Sequence, residues 1–123
     1  MTILEAIATA DVAAQNDIEQ DQKVKWLSNL DGQICDTILN KHDGTETEFH
    51  PYDETTDQET TQLLVPPPYD ELYVDYLVMR FHLYQMEIER YNNAALVYAE
   101  SLRKFAAYIN KHYMPKGLKA LAF

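Results

Sequence analysis

The chain has 123 residues, 46% of them apolar, which suits one domain around one modest core. Three glycines are too few for a turn-rich all-β fold, no apolar run is long enough to span a bilayer, and no charged-then-apolar signal segment is recognised at the start. The formal charge of −10 is uneven: residues 1–68 hold 14 acids and 3 bases, residues 69–123 hold 6 acids and 7 bases, which argues against a protein that grips phosphate backbones.

The first element is read from "TILEAIATADVAA". Thr2 can cap a helix, Glu5 sits three residues later, and Ile3, Ala6, Ile7 and Ala10 share one face, which predicts a helix over 2–13. "DIEQDQKVKWLSNLDGQICDTILNKH" predicts a second helix over 18–41, capped by Asp17 or Asp21. Leu27, Leu30, Ile34 and Ile38 form its stripe, with Trp26 beside it. Gly32 falls inside this pattern and would permit a close approach of another helix.

Residues 43–68 differ in kind. Seven acids fall between 43 and 59 (Asp43, Glu46, Glu48, Asp53, Glu54, Asp57 and Glu59) with no lysine or arginine among them. Such a stretch predicts a long loop that is functional or ordered by a partner, with Phe49, Tyr52, Leu63, Leu64 and Val65 able to pin it at intervals.

Tyr69 to Met114 contains neither glycine nor proline, and its apolar residues step by four and three. One continuous helix here would be about 66 Å long at about 1.5 Å per residue. A chain of this size cannot bury both flanks of such a rod, so it folds back or packs against copies of itself. A break near Asn92-Asn93 predicts helices over 70–90 and 93–113, because Asn can end one helix and cap the next. Trp26, Leu27, Leu30, Ile34, Leu77, Phe81, Leu102 and Phe105 are the expected core. The fold class is therefore all-α: a small bundle with long helices over 1–114, carrying the acidic loop 43–68, followed by an extended tail, 115–123.

That tail, together with Met114, reads "MPKGLKALAF". Pro115 stops the helix, and Leu118, Leu121 and Phe123 present apolar area with Lys116 and Lys119 between them. The tail either packs on its own protomer or docks into a partner or an adjacent subunit through these seven residues, Met114 and Pro115 included.

Chemistry finds few footholds. "PPPY" at 66–69 matches a WW-domain ligand, but prolines followed by Asp70 and Glu71 also open helices, with Tyr69 as an anchor, and that is the favoured reading. His42 and His50 read as solvated loop residues, His82 and His112 as surface or interface residues, and no metal-ligand spacing appears. Cys35 reads as a packed thiol, and no carboxylate is recognised in an apolar setting that would tune it as an acid or base. Neither a cofactor nor an enzymatic activity is expected. Nine tyrosines occur, and Tyr73, Tyr76, Tyr84, Tyr91 and Tyr98 lie on or beside the long stripe. They suit a helix interface between copies or a core with a wet edge, and both readings stand.

Four blocks in order, "KVKWLSNLDGQI", "FHPYDETTD", "LLVPPPYDELYVDYL" and "EIERYNNAALVYAESLRKFAAYINKHYMP", resemble head–tail connector (adaptor or head-completion) proteins of tailed phages of Gram-positive bacteria. The resemblance runs from about Lys23 to Pro115. It implies a mostly helical protomer that forms a ring, expected to be twelve-fold, under the portal protein. The ring would extend the DNA channel and receive a tail-side stopper or tail-completion protein. It implies a place at the head–tail interface of the virion, assembly in the host cytoplasm, no membrane partner, and DNA that passes without specific binding. Two other classes stay open: an acidic DNA mimic or inhibitor that binds a basic partner, and a helical interaction module with PPPY as its ligand.

Overall fold

The computed structural model describes residues 1–117, and Leu118, Lys119, Leu121 and Phe123 lie outside the described residues. Four α-helices form, in the order α1 (Ile3–Ala13), α2 (Gln20–Thr37), α3 (Glu71–Tyr84) and α4 (Ile88–His112), and a 3-10 turn, Leu39–Lys41, follows α2. No strand forms among the described residues, where two isolated bridges, Thr2 with Gln62 and His42 with Pro115, tie distant segments together.

α1 begins as its sequence dictates. The Glu5 amide donates to Thr2 Oγ1 at 3.1 Å, and the Thr2 amide donates back to Glu5 Oε2 at 3.4 Å. Ile3, Ala6, Ile7 and Ala10 are its buried face. α2 departs from expectation at both ends. Glu19 stands at its cap without a side-chain hydrogen bond, so neither Asp17 nor Asp21 caps it. The α-helix stops at Thr37, short of 41, and the chain tightens into the 3-10 turn.

The long glycine-free segment folds back, but α3 ends six residues before the sequence-predicted end at 90. α3 ends at Tyr84 and Met86 takes φ = 61°, a left-handed conformation that reverses the chain. The Met86 and Glu87 amides return to the Leu83 and His82 carbonyls at 3.1 and 2.9 Å. Glu87 stands at the head of α4, where its carboxylate suits the positive end of the helix dipole. It accepts from Gln85 Nε2 at 3.1 Å and pairs with Arg90 at 3.1 Å. Asn92 and Asn93 are exposed and lie inside α4, so they neither end nor cap a helix.

α3 and α4 form an antiparallel hairpin, and α3 also packs on α1 and α2. The core comprises the expected Trp26, Leu27, Leu30, Ile34, Leu77, Phe81 and Phe105, joined by Leu72, Tyr73 and Ile109. Leu102 is only partly buried and packs against its edge.

Candidate partner-binding surface

The surface is set by a buried polar node. Asp31 lies on α2 one turn beyond Leu27 and one before Cys35, all of them buried. Its Oδ1 accepts from the Tyr73 hydroxyl at 2.5 Å. Its Oδ2 accepts from the Tyr52 hydroxyl at 2.6 Å and from the Leu64 amide at 3.1 Å. The Tyr73 hydroxyl in turn accepts from the Val65 amide at 2.7 Å. Burial pushes the Asp31 carboxyl above its ordinary range, against the three hydrogen bonds that hold it down. Burial and the neighbouring Asp31 charge raise the Tyr52 and Tyr73 hydroxyls, so both stay protonated donors at neutral pH. A carboxylate in an apolar setting is therefore present, contrary to the sequence reading. The legible signal was its four-residue register with Leu27 and Cys35.

This node fixes the acidic segment. Residues 43–68 contain neither helix nor strand, yet the protomer holds them itself. The Tyr52 amide donates to Ser28 Oγ at 2.9 Å, Phe49 meets Tyr52 edge-on at 5.3 Å, and Leu63 and Val65 are buried. Phe49 also explains Gly32, since its ring lies 3.3 Å from where a Cβ would stand. The close approach is a loop aromatic and not a second helix. With the backbone anchored, Asp43, Glu46, Glu48, Asp53, Glu54, Asp57 and Glu59 all face outward. The Thr55 hydroxyl and amide donate to Asp53 and hold its carboxyl below the usual range.

The tyrosines divide. Tyr73 is wholly buried in the protomer, so it offers nothing to a partner, and its place is the core. Tyr76 and Tyr98 lie across the α3–α4 seam with ring centres 5.2 Å apart, both half-buried. Burial, then the nearby Tyr76, push the Tyr98 hydroxyl up to about 12. Tyr84 is 60% exposed and meets Trp26 edge-on at 5.9 Å, and Tyr91 is half-buried. Near them Met86, Ile88, Leu96 and Val97 are exposed, Leu96 by 72%. Of the 25 residues of α4 only Phe105 and Ile109 are fully buried.

The histidines also sort differently from expectation. His42 is buried, its Nδ1 donating to the Ile38 carbonyl at 2.7 Å and its Nε2 lying 2.7 Å from Asn110 Oδ1, so it ties the end of α2 to the last turns of α4. His82 is mostly covered and lies 3.2 Å from Glu87, whereas His50 and His112 are exposed. Cys35 is buried, with its thiol donating to the Thr47 carbonyl at 3.1 Å.

Of the tail residues, Met114 and Lys116 are tied to the protomer. The Asp43 amide donates to the Met114 carbonyl at 2.8 Å, and the Lys116 amide donates to the Lys41 carbonyl at 2.8 Å. Pro115 bridges to His42, and Lys116 Nζ lies 3.9 Å from Glu46. The four other tail residues lie outside the description. The PPPY tyrosine is half-buried, its ring 6.0 Å from Phe105 and 4.9 Å from Tyr108, while Pro66, Pro67 and Pro68 are exposed.

Among the described residues no group of three or more His, Cys, Asp or Glu sits where it could hold a metal ion, and no helix is long and apolar enough to cross a membrane. No family model, curated protein or solved structure matches the chain.

Proposed function

We propose that this chain is a structural virion protein that forms a ring at the head–tail interface of a tailed phage or prophage of a Gram-positive bacterium. It docks on the portal protein, extends the DNA channel, and offers a surface to the next tail-side protein. The observation that carries this reading is α4. A 25-residue helix with two fully buried residues leaves Ile88, Leu96 and Val97 uncovered along the hairpin, and packing against a neighbour would cover them. The ordered sequence blocks from Lys23 to Pro115 supply the family resemblance. The net charge of −10 suits a wall that DNA passes without adhering to, because like charges repel.

The acidic segment by itself also favours a second reading, a DNA mimic bound in the basic groove of another protein. Native mass of the chain with and without a portal protein separates the two. High-order rings or portal-bound copies support the connector. A monomer or dimer that ignores the portal and binds a basic protein supports the mimic. Truncation after Gly117 should leave the helices and melting temperature nearly unchanged and abolish portal attachment. A truncated chain that still attaches would remove the tail from the docking surface.

A further inference from the structure

The last part of the chain carries a charge pattern opposite to that of the acidic segment. Residues 101–123 hold five bases (Arg103, Lys104, Lys111, Lys116 and Lys119) and no acid. On α4 this sequence builds a shallow groove of about 370 Å³ lined by Tyr69, Arg103, Lys104, Tyr108, Lys111 and His112. Its floor is aromatic. Tyr69 and Tyr108 lie 4.9 Å apart, and His112 lies 4.6 Å from Tyr108. Its rim is cationic. Arg103 is paired with Glu100 at 2.7 Å, whereas Lys104 and Lys111 enter no ion pair among the described residues.

The acidic segment sits elsewhere on the protomer. The Leu4 amide donates to the Gln58 carbonyl at 3.0 Å, and Gln20 Nε2 donates to Gln58 Oε1 at 2.9 Å, which seats residues 53–60 against the N-terminal ends of α1 and α2. No hydrogen bond or ion pair joins these residues to α4 among the described residues. Asp53 and Asp57 are engaged in local turns through the Thr55 and Glu59 amides. The Glu54 and Glu59 side chains are exposed and make no hydrogen bond among the described residues.

We propose that copies of this chain associate head to tail, with the acidic segment 53–59 of one copy seated on the Lys104–Lys111 groove of the next. The occupant is a second copy because the chain itself exposes an acidic run at 53–59 whose four carboxylates enter no ion pair among the described residues, although Lys25 borders Asp53 and Glu54, and because the net charge of −10 repels a nucleic acid. Two different surfaces in contact make a heterologous interface, which closes into a ring or continues as a filament. This rests on the self-association in the connector reading and not on its portal partner.

The test uses the full chain and native mass or sedimentation at low and high salt. Concentration-dependent assemblies are expected near 50 mM salt and their loss at about 1 M, where the screening length falls to about 3 Å. Lys104→Glu with Lys111→Glu should weaken association at least about tenfold, as should Glu54→Lys with Glu59→Lys. Circular dichroism checks that both variants keep their helices. Mixing the two variants restores both complementary contacts and should recover assembly. A wild-type chain that stays monomeric at low salt, variants that assemble like wild type, or a folded mixture that fails to assemble overturns the proposal. So does binding of a duplex DNA probe that Lys104→Glu with Lys111→Glu removes. If portal attachment persists while these charge variants behave as wild type, only the groove contact fails and the connector reading survives.

Discussion

The Tyr73 hydroxyl donates to Asp31 Oδ1 at 2.5 Å across 42 positions of sequence, with both residues wholly buried. This bond joins α2 to α3. Through Val65, Leu64 and Tyr52, the same two side chains also hold the irregular segment that leads from one helix to the other.

Removing the acceptor should therefore cost more than removing a surface carboxylate. Asp31→Ala leaves the Tyr73 hydroxyl, the Tyr52 hydroxyl and the Leu64 amide without their partner. At about 1–3 kcal/mol per unsatisfied group, the expected loss is roughly 3 kcal/mol or more. Urea unfolding at neutral pH measures it.

The pH dependence has a defined sign. Burial raises the Asp31 carboxyl above its ordinary value of 3.8, so between that value and the raised one the folded state binds more protons than the unfolded state. The stability this group contributes is fully present below 3.8 and is lost as pH rises through the raised value. Asp31→Asn does not titrate. Its unfolding free energy should lack this decline, so the stability difference between wild type and variant should change between 3.8 and the raised value and level off above it. Urea titrations at closely spaced pH values check this.

Hydrogen exchange on the free protomer should find the Tyr52, Leu64 and Val65 amides protected, because each donates to a side chain of α2 or α3. Tyr73→Phe should speed exchange at Val65 first. Exchange at Val65 in wild type as fast as in an unfolded peptide would contradict the anchoring.

Large-to-small changes test the core. Leu30→Ala and Phe105→Ala remove side chains that are 2% and 0% exposed, and such changes cost about 2–5 kcal/mol. Both should lower the melting temperature clearly, and Leu102→Ala, at a half-buried edge position, should lower it less.

Tyr69→Ala should lower stability by about 1–3 kcal/mol, because the ring packs against Phe105 and Tyr108. The folded chain should give no measurable binding to an isolated WW domain, whereas a peptide covering 63–72 should bind it. Binding of the folded chain as tight as the peptide's would restore PPPY as a ligand.

The sequence by itself determined the elements whose causes are local. The capping box of Thr2 and Glu5, the apolar stripes of α1, α2 and α3, and the fold-back of a segment too long for its own core follow from neighbours three and four residues apart. The tertiary structure alone decided three things that depend on distant residues. The turn lies at Met86 and not at the Asn pair, because a helix is ended by where its reversal packs as much as by which residues tolerate one. His42 is buried because Asn110, 68 positions later, offers its side chain, and no spacing rule reaches that far. Asp31 is a buried acceptor because Tyr52, Leu64 and Tyr73 converge on it. A carboxylate costs several kcal/mol to bury alone, so the register with Leu27 and Cys35 could place it on the buried face but could not supply its partners, and only the donors brought by the fold make its burial tolerable.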